Sequence, residues 1–179
     1  MISRIILIIT LYLAFTFTSV HPVLNAGTNN VSQQIDPKYQ SVLIFGIAKK
    51  IDWTLNESFN IGLLGNKGSL HTQLESIAEK QKIYGKPINV NKISMDRAHE
   101  MNIVFISSKN ENKLESTLSS VEGNTLVITS FPGGIEAGSH INFTLRDNRI
   151  AFSLNKAALE KTQLKISSDL EKLAFRVLM

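Results

Sequence analysis

The chain has 179 residues, no cysteine and a formal net charge of +4, with a length and apolar content that sustain one hydrophobic core. The lack of cysteine excludes disulfide staples, thiolate metal sites, Cys nucleophiles and a lipid-modified N-terminal Cys. The charge is too small, and the lysines too scattered, for a nucleic-acid footprint.

Arg4 precedes an apolar run over residues 5–17, the n-region and h-region of a signal peptide and too short for a comfortable membrane span. Residues 1–26 are read as that signal, with cleavage after Ala26 in "VLNAG" and export as the consequence. Residues 27–36 are small and polar and form a flexible leader, and residues 37–179 form the domain. Asp36-Pro37 is a helix start, with Asp36 as N-cap and Pro37 at the first helical position. Tyr39, Val42, Leu43, Gly46, Ile47 and Ile51 recur at helical spacing, predicting a buried stripe on a helix that closes near Trp53.

Strands and helices then alternate. "FNIGLLG" (residues 59–65) is a strand, followed by a helix over 69–80. "PINVNKI" (87–93) is a second strand, and "MNIVFIS" (101–107) a third, apolar throughout and so buried on both faces. A helix over 109–121 leads to a fourth strand, "NTLVITS" (124–130). This order implies right-handed crossovers and a mainly parallel sheet. Residues 140–145 and 149–154, joined by Arg146-Asp147-Asn148, form a β-hairpin that adds an antiparallel edge. Ser167 or Ser168 caps a final helix whose buried stripe is Leu170, Leu173, Ala174 and Val177. The fold class is α/β: a single three-layer domain with a mainly parallel central sheet flanked by helices, a C-terminal antiparallel β-hairpin and a final helix.

Few motifs carry chemistry. "FPGGIEAGSH" (131–140) is glycine-rich, but its spacing is neither G-x-G-x-x-G nor a P-loop. A hairpin strand follows it rather than the helix whose N-terminus a phosphate requires. Its glycines are expected to shape a turn, with Gly138 at positive φ or in close approach. His71, His99 and His140 lie in separate segments without metal-ligand spacing and are read as surface or turn histidines. Ser139-His140 lacks a nucleophile elbow, and the carboxylates sit beside lysines on helix faces. No catalytic residues, metal or cofactor are therefore expected, and the chain is not read as an enzyme. Trp53 follows Lys49 and Lys50, so it either stacks on a ligand or covers the edge of the core, with the second reading favoured.

"EAGSHINFTLRDNRIAFSLNKAALEKTQLKISSDLEKLA" resembles the YfiR family of bacterial periplasmic proteins. Glu136, Gly138, Ile141, Asn142 and Phe143 match its first block, and Arg149, Ile150, Phe152, Leu154 and Asn155 its second. Ala157, Ala158, Leu164, Ser167, Ser168, Leu170, Leu173 and Ala174 match the remainder. "IFGIAKKIDWT" resembles the family's opening block, with Lys49 or Lys50 and Trp53 on its positions. Ser139, Thr54 and Gln163 depart from the pattern, and the missing cysteines remove the redox control proposed for some relatives.

The resemblance implies a periplasmic, non-enzymatic YfiR/HmsC-like regulator. Such a protein represses the sensor domain of a membrane-bound diguanylate cyclase, lowers cyclic-di-GMP, restrains biofilm formation and forms a homodimer. Lys50, Trp53, Glu136, Asn142, Arg149 and Asn155 are the candidate ligand or partner contacts. The alternative is a periplasmic small-molecule receptor signalling through another membrane partner such as a sensor kinase. Its pocket would lie at the carboxyl ends of the strands, lined by Trp53, a nearby Lys and the loop after Ser130.

Overall fold

The computed structural model describes residues 35–65, 68–121 and 123–179; the expected signal peptide and the leader up to Gln34 lie outside the described residues. Helix α1 (Pro37–Ala48) begins as its cap chemistry dictates, with Asp36 Oδ1 accepting from the Lys38 backbone N–H at 2.8 Å. The chain then runs through β1 (Ile51–Asp52), β2 (Phe59–Leu64), α2 (Ser69–Ala78) and β3 (Ile88–Ile93). A 3₁₀ segment (Met95–Glu100) leads to β4 (Ile103–Ser107), and a second (Ser108–Lys113) bends into α3 (Leu114–Ser120). After β5 (Leu126–Ser130) come β6 (Ile141–Arg146), β7 (Arg149–Asn155), α4 (Lys156–Leu159), β8 (Lys165–Ile166), α5 (Ser168–Leu173) and β9 (Arg176–Leu178).

Seven strands form one sheet in the order β3-β2-β4-β5-β6-β7-β9. Pairing is parallel from β3 through β6, antiparallel between β6 and β7, and parallel again between β7 and β9. β1 and β8 make a separate antiparallel pair. Because strand side chains alternate, β4 sends Ile103 and Phe105 to one face and Val104 and Ile106 to the other. The first face packs on α1, α2, α4 and α5 through Ile44, Ile47, Leu74, Leu159 and Leu170. The second packs on the 3₁₀ segments and α3 through Ala98, Leu114 and Leu118. The three-layer α/β architecture is thus as the sequence predicts. Each fully buried large side chain, Phe59 and Phe143 among them, contributes roughly 2 to 3 kcal/mol by leaving water. Among the described residues no helix is long and apolar enough to cross a membrane.

Three expectations are corrected. α1 is rotated from its predicted stripe: Gln40, Ser41, Ile44, Phe45, Ile47 and Ala48 are buried, while Tyr39 and Val42 face outward at 57% and 59% exposure. Gln40 can be buried because its Nε2 donates to Ser130 Oγ at 3.0 Å, and Ser41 because its hydroxyl donates to the Lys38 carbonyl at 2.8 Å. The segment over 109–121 is helical only from Leu114, because Asn110 leaves helical geometry. The final helix stops at Leu173, where Ala174 turns extended, and Val177 belongs to the edge strand β9.

Candidate functional site

The segment over 131–140 is a compact coil that leaves the carboxyl end of β5. Phe131 and Ile135 anchor it in the core. Pro132 and Gly133 turn the chain, with Gly133 at φ 79° and the Gly134 N–H reaching the Phe131 carbonyl at 3.3 Å, the pattern of a type II turn. One helical turn follows, closed by Ala137 N–H to Gly133 O (2.9 Å) and Ser139 N–H to Gly134 O (3.1 Å). Gly138 at φ 102° releases the chain into β6.

A buried polar cluster holds this coil from below. Thr129 Oγ1 lies 2.8 Å from both Asn142 Oδ1 and Ser139 Oγ. An amide oxygen only accepts, so Thr129 donates to Asn142, and Ser139 supplies the second proton. Asn142 Oδ1 also lies 3.4 Å from the Phe131 N–H. A Cβ on Gly134 would come within 2.8 Å of Asn142 Oδ1 and closer still to Thr129 Oγ1, so only glycine fits over the cluster. Asn155 fastens the other side: its Nδ2 donates to the Ile135 carbonyl at 3.3 Å, and its Oδ1 caps α4 at the Ala158 N–H, 2.9 Å away.

His140 is 6% exposed, and its Nδ1 accepts from the Val127 N–H at 3.0 Å. Burial pushes its pKa down to about 4, so near neutral pH it is an uncharged acceptor with the proton on Nε2. His71 is also buried, with Nδ1 2.9 Å from Glu75 Oε2 and Nε2 without a partner among the described residues. Both positions correct the expectation of surface histidines. The cause is tertiary: His140 is satisfied by an amide of the neighbouring strand, and His71 lies on the buried face of α2 with Leu70 and Leu74.

Of the six candidate contacts, Glu136, Asn142 and Asn155 converge on this coil. Asn142 and Asn155 are buried and hold its shape, whereas Glu136 faces solvent and pairs with Arg176 of β9 at 2.6 Å. Arg176 holds the Glu136 carboxyl below the usual carboxylate range. Arg149 sits at the far end of the hairpin, opposite Arg146, about 20 Å along the strand from Asn155. Arg146 in turn stacks over Phe175, its guanidinium 4.7 Å from the ring centroid.

Lys50 and Trp53 belong to a different region. The Lys50 carbonyl accepts from the Ser167 N–H at 2.9 Å, beside the β1–β8 pair. The Trp53 indole N–H donates to the Ala48 carbonyl at 2.7 Å, and its ring meets Phe59 edge-on with centroids 5.1 Å apart. Phe59 opens β2, so Trp53 lies at the amino end of the parallel strands, away from the loop after Ser130 at their carboxyl end. The pocket expected to combine these residues is therefore not assembled.

Residues beyond the candidates complete the surface. Leu173, Phe175, Val177 and Met179 are exposed along α5 and β9, with Val177 on the face of the strand opposite Arg176. The short apolar run Val177–Met179 was the only signal for this strand, concealed by its continuity with the helical spacing before it.

The YfiR/HmsC-like family model matches residues 37–175. Among solved structures, a conserved domain protein from Vibrio cholerae O1 biovar eltor superposes with a TM-score of 0.59 at 14% identity, a likeness of fold alone. The alignment covers 80% of this chain and 61% of that one, so the chain spans about three fifths of the length of that relative. Comparison with curated proteins finds no significant match. Matched over nearly all of its domain, the chain belongs to the YfiR/HmsC-like family.

Proposed function

We propose that the protein is an exported repressor that holds the periplasmic sensor domain of a membrane-bound diguanylate cyclase in its inactive state, keeping cyclic-di-GMP low. The surface assigned to that contact comprises the glycine coil, α5 and β9. One observation carries this assignment. The buried polar residues of the family blocks, Asn142 and Asn155, are consumed in bracing the coil, and the surface so braced carries the Glu136–Arg176 pair, with the exposed Phe175 next in the chain. An exposed aromatic ring beside a charged pair is the composition of a partner surface.

The test is deletion of the gene in its own host, with cyclic-di-GMP measured by mass spectrometry. The expected result is a rise that the wild-type gene reverses and a Phe175→Glu, Val177→Glu double variant does not. An unchanged level in a strain with an intact cyclase would refute the proposal.

A specific feature supports the small-molecule reading at other residues. A polar cleft of about 560 Å³ lies at the amino ends of β2, β4 and β5, lined by Asn56, Glu57, Asn60, His99, Glu100 and Asn124. A thermal-shift screen with amino acids, nucleotides and cell-wall fragments tests it; a uniform absence of stabilisation counts against it.

A further inference from the structure

The outward face of α1 and the adjoining face of α2 enclose a groove of about 360 Å³ on the helical layer, formed by other residues than the coil and sheet edge described above. Val42, Phe45 and Ile77 give it an apolar floor and wall; Lys49, Lys80 and Gln81 form its rim, and no carboxylate among the described residues lines it. Lys49 is held in place from two sides, with Nζ 4.6 Å above the Phe45 ring and 3.3 Å from Gln81 Oε1. Tyr39, Val42, Gly46 and Lys49 follow one another at spacings of three, four and three, a single stripe along a helix of about 18 Å. A side chain at Gly46 would have nothing within 4 Å, so another backbone can approach α1 closely there.

We infer that this groove seats an acidic amphipathic helix of a protein partner. Three features select that occupant. The floor residue Phe45 lies deep and nearly buried between the two helices, so a convex ridge of side chains reaches it and a flat bilayer surface does not. The two-helix groove matches the ridge-and-groove packing of a third helix, with apolar anchors at i, i+3, i+4 and i+7. The rim carries lysines and no acid, so glutamates flanking those anchors complement it, whereas a second copy docked by the same face would bring Lys49 and Lys80 against their own counterparts. The inference does not depend on which membrane enzyme the sheet edge contacts.

The probe is a synthetic fluorescein-labelled 14-residue helix with leucines at those anchor spacings and glutamates on both flanks, titrated with the purified protein by anisotropy. Saturable binding is expected, weakened by 0.5 M salt and reduced about tenfold or more by Lys49→Glu with Lys80→Glu. That double variant should in turn prefer the same peptide with lysines in place of glutamates. Val42→Glu, at an exposed position, should abolish binding while leaving the Trp53 emission of the folded protein unchanged. Equal binding of the acidic and basic peptides, or no saturable binding, overturns the inference. So does attachment to phosphatidylglycerol vesicles that the same lysine changes abolish, or a dimer in sedimentation that Val42→Glu dissociates.

Discussion

Acidification should destabilise this domain through one side chain before its carboxylates respond. His140 accepts a hydrogen bond from the Val127 N–H inside the sheet, and its pKa falls from 6.5 to about 4 because burial disfavours the cation. Between those two values the unfolded chain binds a proton that the folded chain does not, so stability falls as pH falls. The loss is complete near pH 4, below which both states are protonated. The slope approaches about 1.4 kcal/mol per pH unit, and the total is about 3 kcal/mol, a large part of the 5 to 15 kcal/mol typical of a domain. Glu136 acts in the same sense but at lower pH. Its carboxyl is depressed by Arg176 and its contribution disappears only below its unfolded value of 4.5, leaving the span above pH 5 to the histidine. Urea unfolding followed by Trp53, the sole tryptophan, at half-unit steps from pH 7 to 4 measures the effect. His140→Asn supplies the control, because Asn Oδ1 occupies the position of Nδ1 and accepts the same bond without titrating. The difference between the two proteins should shrink by about 3 kcal/mol from pH 7 to 4. A constant difference would show that His140 is not the origin of the acid sensitivity.

Gly134→Ala should destabilise by about 1 to 3 kcal/mol through overlap with Thr129 and Asn142, and Thr129→Ala in the same chain, which removes the overlapping hydroxyl, should make the two losses less than additive, both read as urea midpoints. Asn155→Ala removes the α4 cap and the tether to Ile135 together, for an expected loss of about 1 to 2 kcal/mol with hydrogen exchange rising first at the Ala158 amide. Glu136→Lys sets two cations against each other on an exposed surface. It should leave the thermal midpoint nearly unchanged yet raise cyclic-di-GMP in cells, and a normal nucleotide level would remove Glu136 from the partner surface.

The places of the strands along the chain and the starts of the first and last helices were legible because their signals are local. Asp36-Pro37 specifies its own cap geometry, and the two-residue hairpin turn at Asp147-Asn148, both at positive φ, follows from side chains that tolerate that region. The buried face of α1 was not legible. Its apolar residues from Leu43 to Ala48 are nearly continuous, so their period carries no phase, and only Ser130 on a distant strand explains why Gln40 lies inside. β9 escaped notice for a related reason, since Leu170, Leu173, Ala174 and Val177 satisfy helical spacing up to the residue where the backbone becomes extended. At the candidate site, Asn142 and Asn155 were recognisable as residue types to single out. Their roles depend on the Thr129 hydroxyl and the Ile135 carbonyl, partners fixed by strand register. The buried state of His140 was hidden similarly, because the amide that satisfies it belongs to the neighbouring strand.

The pairing of β9 with β7 has a bearing on how the molecule matures. β6 and β7 are neighbours in sequence and can zip together early, but β7 gains its second neighbour only when Arg176–Leu178 arrive after an excursion through α4, β8 and α5. Loop closure across that distance is slower than hairpin formation. Until then β7 presents an unpaired row of amides to any other nascent chain, the condition that leads to intermolecular strand exchange. Slowing the last docking step, for example by weakening the Ser167 cap of α5, should therefore lower the yield of refolded monomer at high concentration more than it lowers equilibrium stability. The vulnerable period in the life of this protein is the interval before its final strand docks.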